Sequence, residues 1–418
     1  MGKGYSAWRI LKEGLTGNRG WQPAWRDPEP RKHYRVIIVG GGGHGLATAY
    51  YLARTHGIRD IAVLEKGWLG GGNTGRNTTV IRSNYYYRES AALYDLSLRM
   101  YEGLARELNY NVMFSQRGII TLLHSRHDLD ASKRWVGAMR LNHVDTRFLD
   151  RAEIAARVPI LDMRPGARFP VLGGYIQDRG GTARHDAVAW GYARAVSDEG
   201  VDIIQQCEVT GFTRAPDGRV TGVETSRGSI GADSVALCAS GHSSVLAERA
   251  GFRLPVTSYA LQAFVTEPLK PVLDTVVLSL ATGVYLSQSD KGGLVIGGGL
   301  DLFPSYAQRG NIPTARHVLG TVADQYPALG RVRLARQWAG VVDVVPDSSP
   351  ILGTSPVPGI FLNCGWGTGG FKAIPAGGTL LAHHIATGAP HPIAAPFGLE
   401  RFTTGALIDE AAASGIAH

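Results

Sequence analysis

Runs of consecutive apolar residues alternate along this chain with stretches whose apolar positions recur every three or four residues. That is the pattern of buried strands interleaved with helices. Ile37-Ile38-Val39 reads as a strand, Leu46-Ala47-Thr48-Ala49 as part of a small-residue helix, and Ile61-Ala62-Val63-Leu64 as a second strand. Apolar periodicity predicts a helix over residues 89–108. Residues 117–123 read as a strand, a helix-like stretch then reaches Arg157, and residues 184–199 read as another helix. Residues 200–204 are strand-like, and residues 209–212 and 220–225 form a hairpin around Pro216-Asp217-Gly218. Residues 234–239 make a buried strand, after which Ser240-Gly241-His242-Ser243 opens a helix. Several short strands with Gly- and Pro-rich joints fill residues 252–345. The chain then returns through Gly359-Ile360-Phe361-Leu362-Asn363 to a glycine cluster and the last helix.

This order implies a nucleotide-binding domain assembled from residues 34–110, 185–250 and 345–400, with a sheet-rich substrate domain inserted as residues 111–184 and 251–344. Residues 1–33 form an extension and residues 401–418 a tail. The extension carries Trp8, Trp21 and Trp25, so it needs a surface to lie on, either the chain's own body or a partner subunit.

Composition narrows the classes. With 418 residues, 44% hydrophobic and 19% charged, the chain has the make-up of a globular protein of two or three domains. No apolar stretch approaches the roughly 18–20 residues of a membrane span. No apolar core follows the basic residue near the N-terminus, so the expected location is cytoplasmic. The net charge of +8 is scattered without a basic tract, which argues against nucleic acid. It suits an anionic cofactor, a carboxylate substrate or an acidic partner. Cys207, Cys238 and Cys364 are far apart and show neither disulfide nor metal-ligand spacing, so no metal is expected.

The chemistry begins at Gly40, Gly42 and Gly45, a Gly-x-Gly-x-x-Gly between the first strand and its helix, with Glu65 twenty residues further on. The first glycine permits a tight turn, the second lets backbone approach a pyrophosphate, and the third lets helix pack against strand. The helix N-terminus offers free N–H groups to phosphate, and Glu65 offers acceptors to ribose hydroxyls. The motif alone leaves NAD and FAD open.

Four segments carry a family resemblance: Val39–Tyr50, Leu64–Leu69, Asn77–Tyr85 and Asn363–Lys372. Over residue 27 to the C-terminus the chain resembles the β subunits of heterotetrameric sarcosine oxidases, relatives of the flavin-dependent N-methyl- and D-amino-acid oxidases. The resemblance implies an α/β fold: a Rossmann-like FAD-binding domain of the glutathione-reductase/D-amino-acid-oxidase type with an inserted sheet-rich substrate domain. It also implies α, γ and δ partner subunits. Non-covalent FAD would be contacted by Gly43, His44, Glu65, Asn73, Thr78, Val80, Val209, Gly367, Gly370 and Lys372. Backbone N–H groups of Gly365–Gly370 would face the flavin's pyrimidine edge.

The resemblance further implies that His185 carries FMN covalently, through the 8α-methyl carbon. Arg82 and Lys372 match the cations that hold the substrate carboxylate in related oxidases, an arginine fork and a point charge. The expected reaction is oxidation of sarcosine to glycine, with formaldehyde or 5,10-methylenetetrahydrofolate and H2O2, electrons passing from FAD to FMN. Two positions depart from monomeric relatives. Thr79 stands where they have a basic residue, and residues 293–299 lack their oxygen-activating lysine. The alternatives are another N-alkyl or D-amino acid as substrate, such as dimethylglycine, an electron-transfer flavin subunit, or an NAD-dependent dehydrogenase.

Overall fold

The computed structural model describes residues 6–20 and 23–408; Trp21 and residues 409–418 of the expected tail lie outside the described residues. The apolar runs at the start of the chain become the centre of an eight-stranded sheet. His33–Val39 lies between Ile61–Leu64 and Gly228–Leu237, parallel to both, with Val39 opposite Leu64 and Leu237. Asp202–Ile204 extends the sheet beyond Ile61–Leu64. The hairpin Val209–Arg214 and Val220–Thr225 closes the opposite side. Ile360–Cys364 pairs in parallel with the end of Gly228–Leu237, and Ile351–Thr354 pairs antiparallel with it in turn. Parallel strands buried on both faces read as unbroken apolar runs, which is why this sheet was visible in the sequence.

The helices Gly43–His56, Arg88–Glu107, His185–Asp198 and Ile374–Thr387 cover one face of this sheet and share its largest apolar cluster. A second cluster, including Leu246, Phe252 and Leu254, fills the other face. The helix-like stretch ending at Arg157 is two helices, Arg126–Leu141 and Arg151–Arg157, parted by the strand Thr146–Leu149. Each begins with a capping box, Ser125 with Asp128 and Asp150 with Glu153, which fixes where it starts.

A second eight-stranded sheet runs in the order Leu334–Val344, Thr257–Pro268, Gly293–Pro304, Tyr285–Gln288, Val276–Ser279, Ile119–Leu123, Gly173–Gln177, Thr146–Leu149. The expectation of short strands in 252–345 is corrected here. Two of them have 12 residues and one has 11. Gly297–Gly299 bends one long strand without ending it: Gly298 and Gly299 take φ +139° and +85°, and the register shifts beside them. The helix Ile312–Gln325, capped by Asn311 with Pro313 in its first turn, was not expected.

A three-stranded patch of Val80–Ile81, Gly181–Thr182 and Ser115–Gln116 completes the core, with Gly181–Thr182 in the middle. It leads directly into Arg82 on one strand and His185 on another.

Within the extension, Trp25 packs against the apolar cluster of the first sheet, and Arg31 pairs with Asp202 at 3.0 Å. The helix Ala7–Leu15 keeps Trp8 73% exposed. The two ends of the extension thus behave differently. Among the described residues no helix is long and apolar enough to cross a membrane, no group of His, Cys, Asp or Glu is placed to hold a metal ion, and the three cysteines are buried and unpaired.

Candidate active site

A cavity of about 500 Å³ opens above the carboxyl ends of the parallel strands, where ligands bind in open α/β sheets. It falls within the range of small-molecule sites. Gly40, Gly42, Gly43, His44, Glu65, Asn73, Thr78, Val209, Gly367 and Gly370 all line it. Gly45, Val80, Arg82, His185 and Lys372 do not.

The glycines act as the motif requires. Gly40 holds φ +116°, and a Cβ there would press into the carbonyl of Cys238. A Cβ on Gly45 would strike the carbonyl of Gly40, so the helix sits directly against its strand. The N–H groups of Gly41 and Gly67 donate to the two oxygens of Glu65 at 2.9 and 2.8 Å. Each oxygen is thereby aimed and keeps a lone pair for a hydroxyl. Thr74, which sequence reasoning missed, accepts from the Gly43 N–H at 2.9 Å.

Other predicted contacts are already engaged by the protein. His44 Nε2–H donates to the Gly370 carbonyl at 2.8 Å, and its ring stacks on Trp366 with centroids 4.4 Å apart. Burial pushes its pKa down to about 4, so the imidazole is neutral and its buried Nδ1 is an acceptor without a partner among the described residues. The Asn73 amide donates to Ser240 Oγ at 2.8 Å and bonds both backbone groups of Val341. Thr78 Oγ1 meets the Tyr285 hydroxyl at 2.7 Å. The Val209 carbonyl accepts from Arg249 at 3.1 Å. Val80 sits opposite Thr182, directly after Thr79, a β-branched residue held at φ +67°.

The C-terminal cluster does not open a helix directly. Two 3₁₀ turns, Gly367–Gly369 and Phe371–Ala373, precede the helix at Ile374. The Gly365 N–H donates to Asp343 at 2.6 Å, so this turn wraps a buried carboxylate as well as edging the cavity. Asp343 was missed; its only signal was one acid within Val341-Val342-Asp343-Val344-Val345.

Arg82 and Lys372 come together beside the cavity. Lys372 Nζ donates to the Thr368 carbonyl at 2.9 Å and faces the Tyr94 ring. Its ammonium is held well below the usual lysine range, first by burial and then by the positive charge of Arg82. Arg82 donates to Asn84 Oδ1 at 2.7 Å and stacks over Tyr85. Two tyrosines, the buried Tyr175 and the half-buried Tyr285, feel the same guanidinium. Periodicity gave no reason to single out either tyrosine.

His185 begins its helix apart from the cavity lining. Its Nδ1 is buried and has no partner among the described residues, and burial lowers its pKa. Arg184 and Asp186 form an ion pair on either side of it.

The family profile described as FAD dependent oxidoreductase matches residues 35–384. The sarcosine oxidase β subunit of Rhodobacter capsulatus is 55% identical over 99% of this chain and 99% of its own. That of Rhizobium meliloti is 56% identical over 97% of each. The structure of an L-proline dehydrogenase from P. horikoshii superposes with a TM-score of 0.85 at 25% identity, covering 90% of this chain and 100% of that one. The cavity suits FAD on its own terms: a glycine turn with no room for Cβ atoms, an aimed acid, and a buried ring acceptor without a partner. The chain belongs to the FAD-dependent oxidoreductase family, alongside the β subunits of sarcosine oxidase.

Proposed function

We propose that this chain oxidises sarcosine within a multi-subunit assembly, FAD occupying the cavity non-covalently and FMN attached to His185. The observation that carries the substrate reading is the approach of the buried Lys372 ammonium to the half-buried Arg82 guanidinium. A buried ammonium facing a second positive charge is unfavourable alone, and an anion between the two relieves both its burial and the repulsion. A carboxylate answers that need, with the Arg82 fork giving direction and Lys372 a point charge. The same positive field favours release of the proton from the substrate ammonium, leaving the neutral amine whose lone pair assists C–H cleavage. Tyr285, which lines the cavity, and Tyr175, which feels Arg82, supply hydroxyls on the carboxylate's side of the site.

In this reading residues 34–110, 185–250 and 345–400 hold the cofactor, and 111–184 and 251–344 supply the substrate side. The Gly40–Gly45 turn takes the pyrophosphate, Glu65 the ribose and Val209 the adenine. Asn73, Thr78, Val80, Gly367, Gly370 and Lys372 take the flavin half. The flavins, when bound, supply a two-electron acceptor for the C–H bond next to nitrogen and an outlet for those electrons toward O2. His185 offers a neutral imidazole, held so by burial, as the nitrogen that bonds the 8α carbon. The imine product hydrolyses to glycine and formaldehyde, or gives its one-carbon unit to tetrahydrofolate on a partner subunit.

Product analysis tests the reading. The complex supplied with sarcosine yields glycine and formaldehyde faster than it turns over dimethylglycine or D-amino acids. A preference for either of those assigns the other substrate, and no turnover of any leaves an electron-transfer subunit. Acid precipitation leaves one flavin on the wild-type protein and none on His185→Ala.

A further inference from the structure

Asp343 is 1% exposed at the end of the strand Leu334–Val344, yet it borders the cofactor cavity and carries an ionisable carboxyl. Three separate segments converge on it, one of them through Ser240. Its Oδ2 accepts from the Gly365 N–H at 2.6 Å, and the backbone of Trp366 and Gly367 adds further hydrogen bonds. Its Oδ1 is approached by Ser240 Oγ at 3.4 Å, and that oxygen accepts from the Asn73 amide at 2.8 Å. The chain accepts strain to build this arrangement: Ser240, not a glycine, sits at φ +48°, and Gly365 and Gly367 take +71° and +51°. A buried carboxylate held by backbone donors and set against a cavity is placed to respond to charge in that cavity.

We propose that Asp343 is a positioning residue of the flavin site, shaping the Gly365–Gly367 turn and taking up a proton from solvent when negative charge arrives in the cavity. This inference rests on the reading that FAD fills that cavity. Burial raises the carboxyl to about 6, with the backbone donors opposing the rise. Added negative charge nearby raises it further, so between about pH 6 and the higher pKa of the reduced site, reduction brings a proton onto an Asp343 oxygen. The ionisable residues on the packed elements are Tyr259 and Glu267 of the paired strand Thr257–Pro268, with Cys364, His242 and Arg76. Of these the Cys364 thiol feels Asp343, and it is itself pushed up by burial first and by that carboxylate second. Burial, Lys66 and Glu208 act on His242. Arg76 binds the carbonyls of Gly71 and Gly72.

The test is the reduction potential of the non-covalent FAD in the intact complex, measured with an electrode and mediators between pH 5.5 and 8.0. In the wild type the potential falls more steeply with pH above about 6, by one extra proton per electron pair. Asp343→Asn loses that break. Ser240→Ala, which removes a donor from the carboxylate, moves the break to higher pH and stands in if the asparagine variant fails to fold. An identical slope in wild type and Asp343→Asn, or an unmoved break in Ser240→Ala, overturns the proposal. The titration itself uses no substrate, so a missing break in a complex that separately turns over sarcosine counts against Asp343 alone. A complex inert to sarcosine counts against the substrate reading alone.

Discussion

His44 and Gly370 lie 326 residues apart in sequence, and the imidazole of one donates to the carbonyl of the other at 2.8 Å. With the stack of His44 on Trp366, this bond fastens the first helix of the nucleotide motif to the C-terminal glycine turn. The two ends of the cofactor cavity are thus tied by one neutral side chain.

His44→Ala removes the stack and leaves a buried carbonyl unpaired. The expected loss is about 2–3 kcal/mol of stability, from the hydrogen bond and the ring contact together. FAD affinity should weaken about tenfold. Thermal melts and flavin retention on gel filtration read both; an unchanged flavin content removes the ring from the cofactor site.

Arg82→Ala should raise the KM for sarcosine and slow reduction of the flavin, since a charged hydrogen bond is worth about 1.5–3 kcal/mol, or roughly ten- to a hundredfold. Arg82→Lys keeps the charge without the fork and should recover only part of the loss. Unchanged reductive kinetics in Arg82→Ala would remove the carboxylate role.

Lys372 makes the site pH-dependent. Its folded pKa lies below its unfolded one, so the unfolded chain binds more protons between the two values, and this residue's contribution to stability rises with pH across that window. A bound carboxylate reverses the local balance by favouring the ammonium. Acetate binding should therefore take up protons and weaken as pH rises, as seen by calorimetry in buffers of different ionisation heat. Lys372→Met should abolish the uptake.

Arg401 and Asp347 form a bidentate ion pair, 3% and 1% exposed, that also gathers the Ser349 carbonyl and the Ile408 N–H. Arg401→Met strands a buried carboxylate. The expected cost is about 3–5 kcal/mol. A melting temperature within a degree of wild type would show the pair to be dispensable.

How much the sequence revealed depended on whether the residues were local. Val36–Val39, Ile61–Leu64 and Gly40–Glu65 were legible because a doubly buried parallel sheet and a glycine-rich strand-to-helix turn leave contiguous signatures. The 89–108 and 184–199 helices fell within a residue of Arg88–Glu107 and His185–Asp198. Strand lengths within 252–345 were underestimated, because a glycine bulge such as the one in Gly293–Pro304 is hard to tell from a turn when its partner strand is unknown. Asp343, Tyr175 and Tyr285 acquire meaning only from what folds against them: Gly365, Thr121 and Thr78. Asn73 and His44 were found in the cavity wall, but their hydrogen bonds to Val341 and Gly370 join segments that sequence spacing cannot relate.

The most direct test of the account is anaerobic rapid mixing of the intact complex with sarcosine while the FAD absorbance is followed. The FAD bleaches in a single turnover, at a rate that saturates with sarcosine and rises with pH as the bound amine loses its proton. A complex that dithionite bleaches and sarcosine leaves oxidised at every concentration would contradict it.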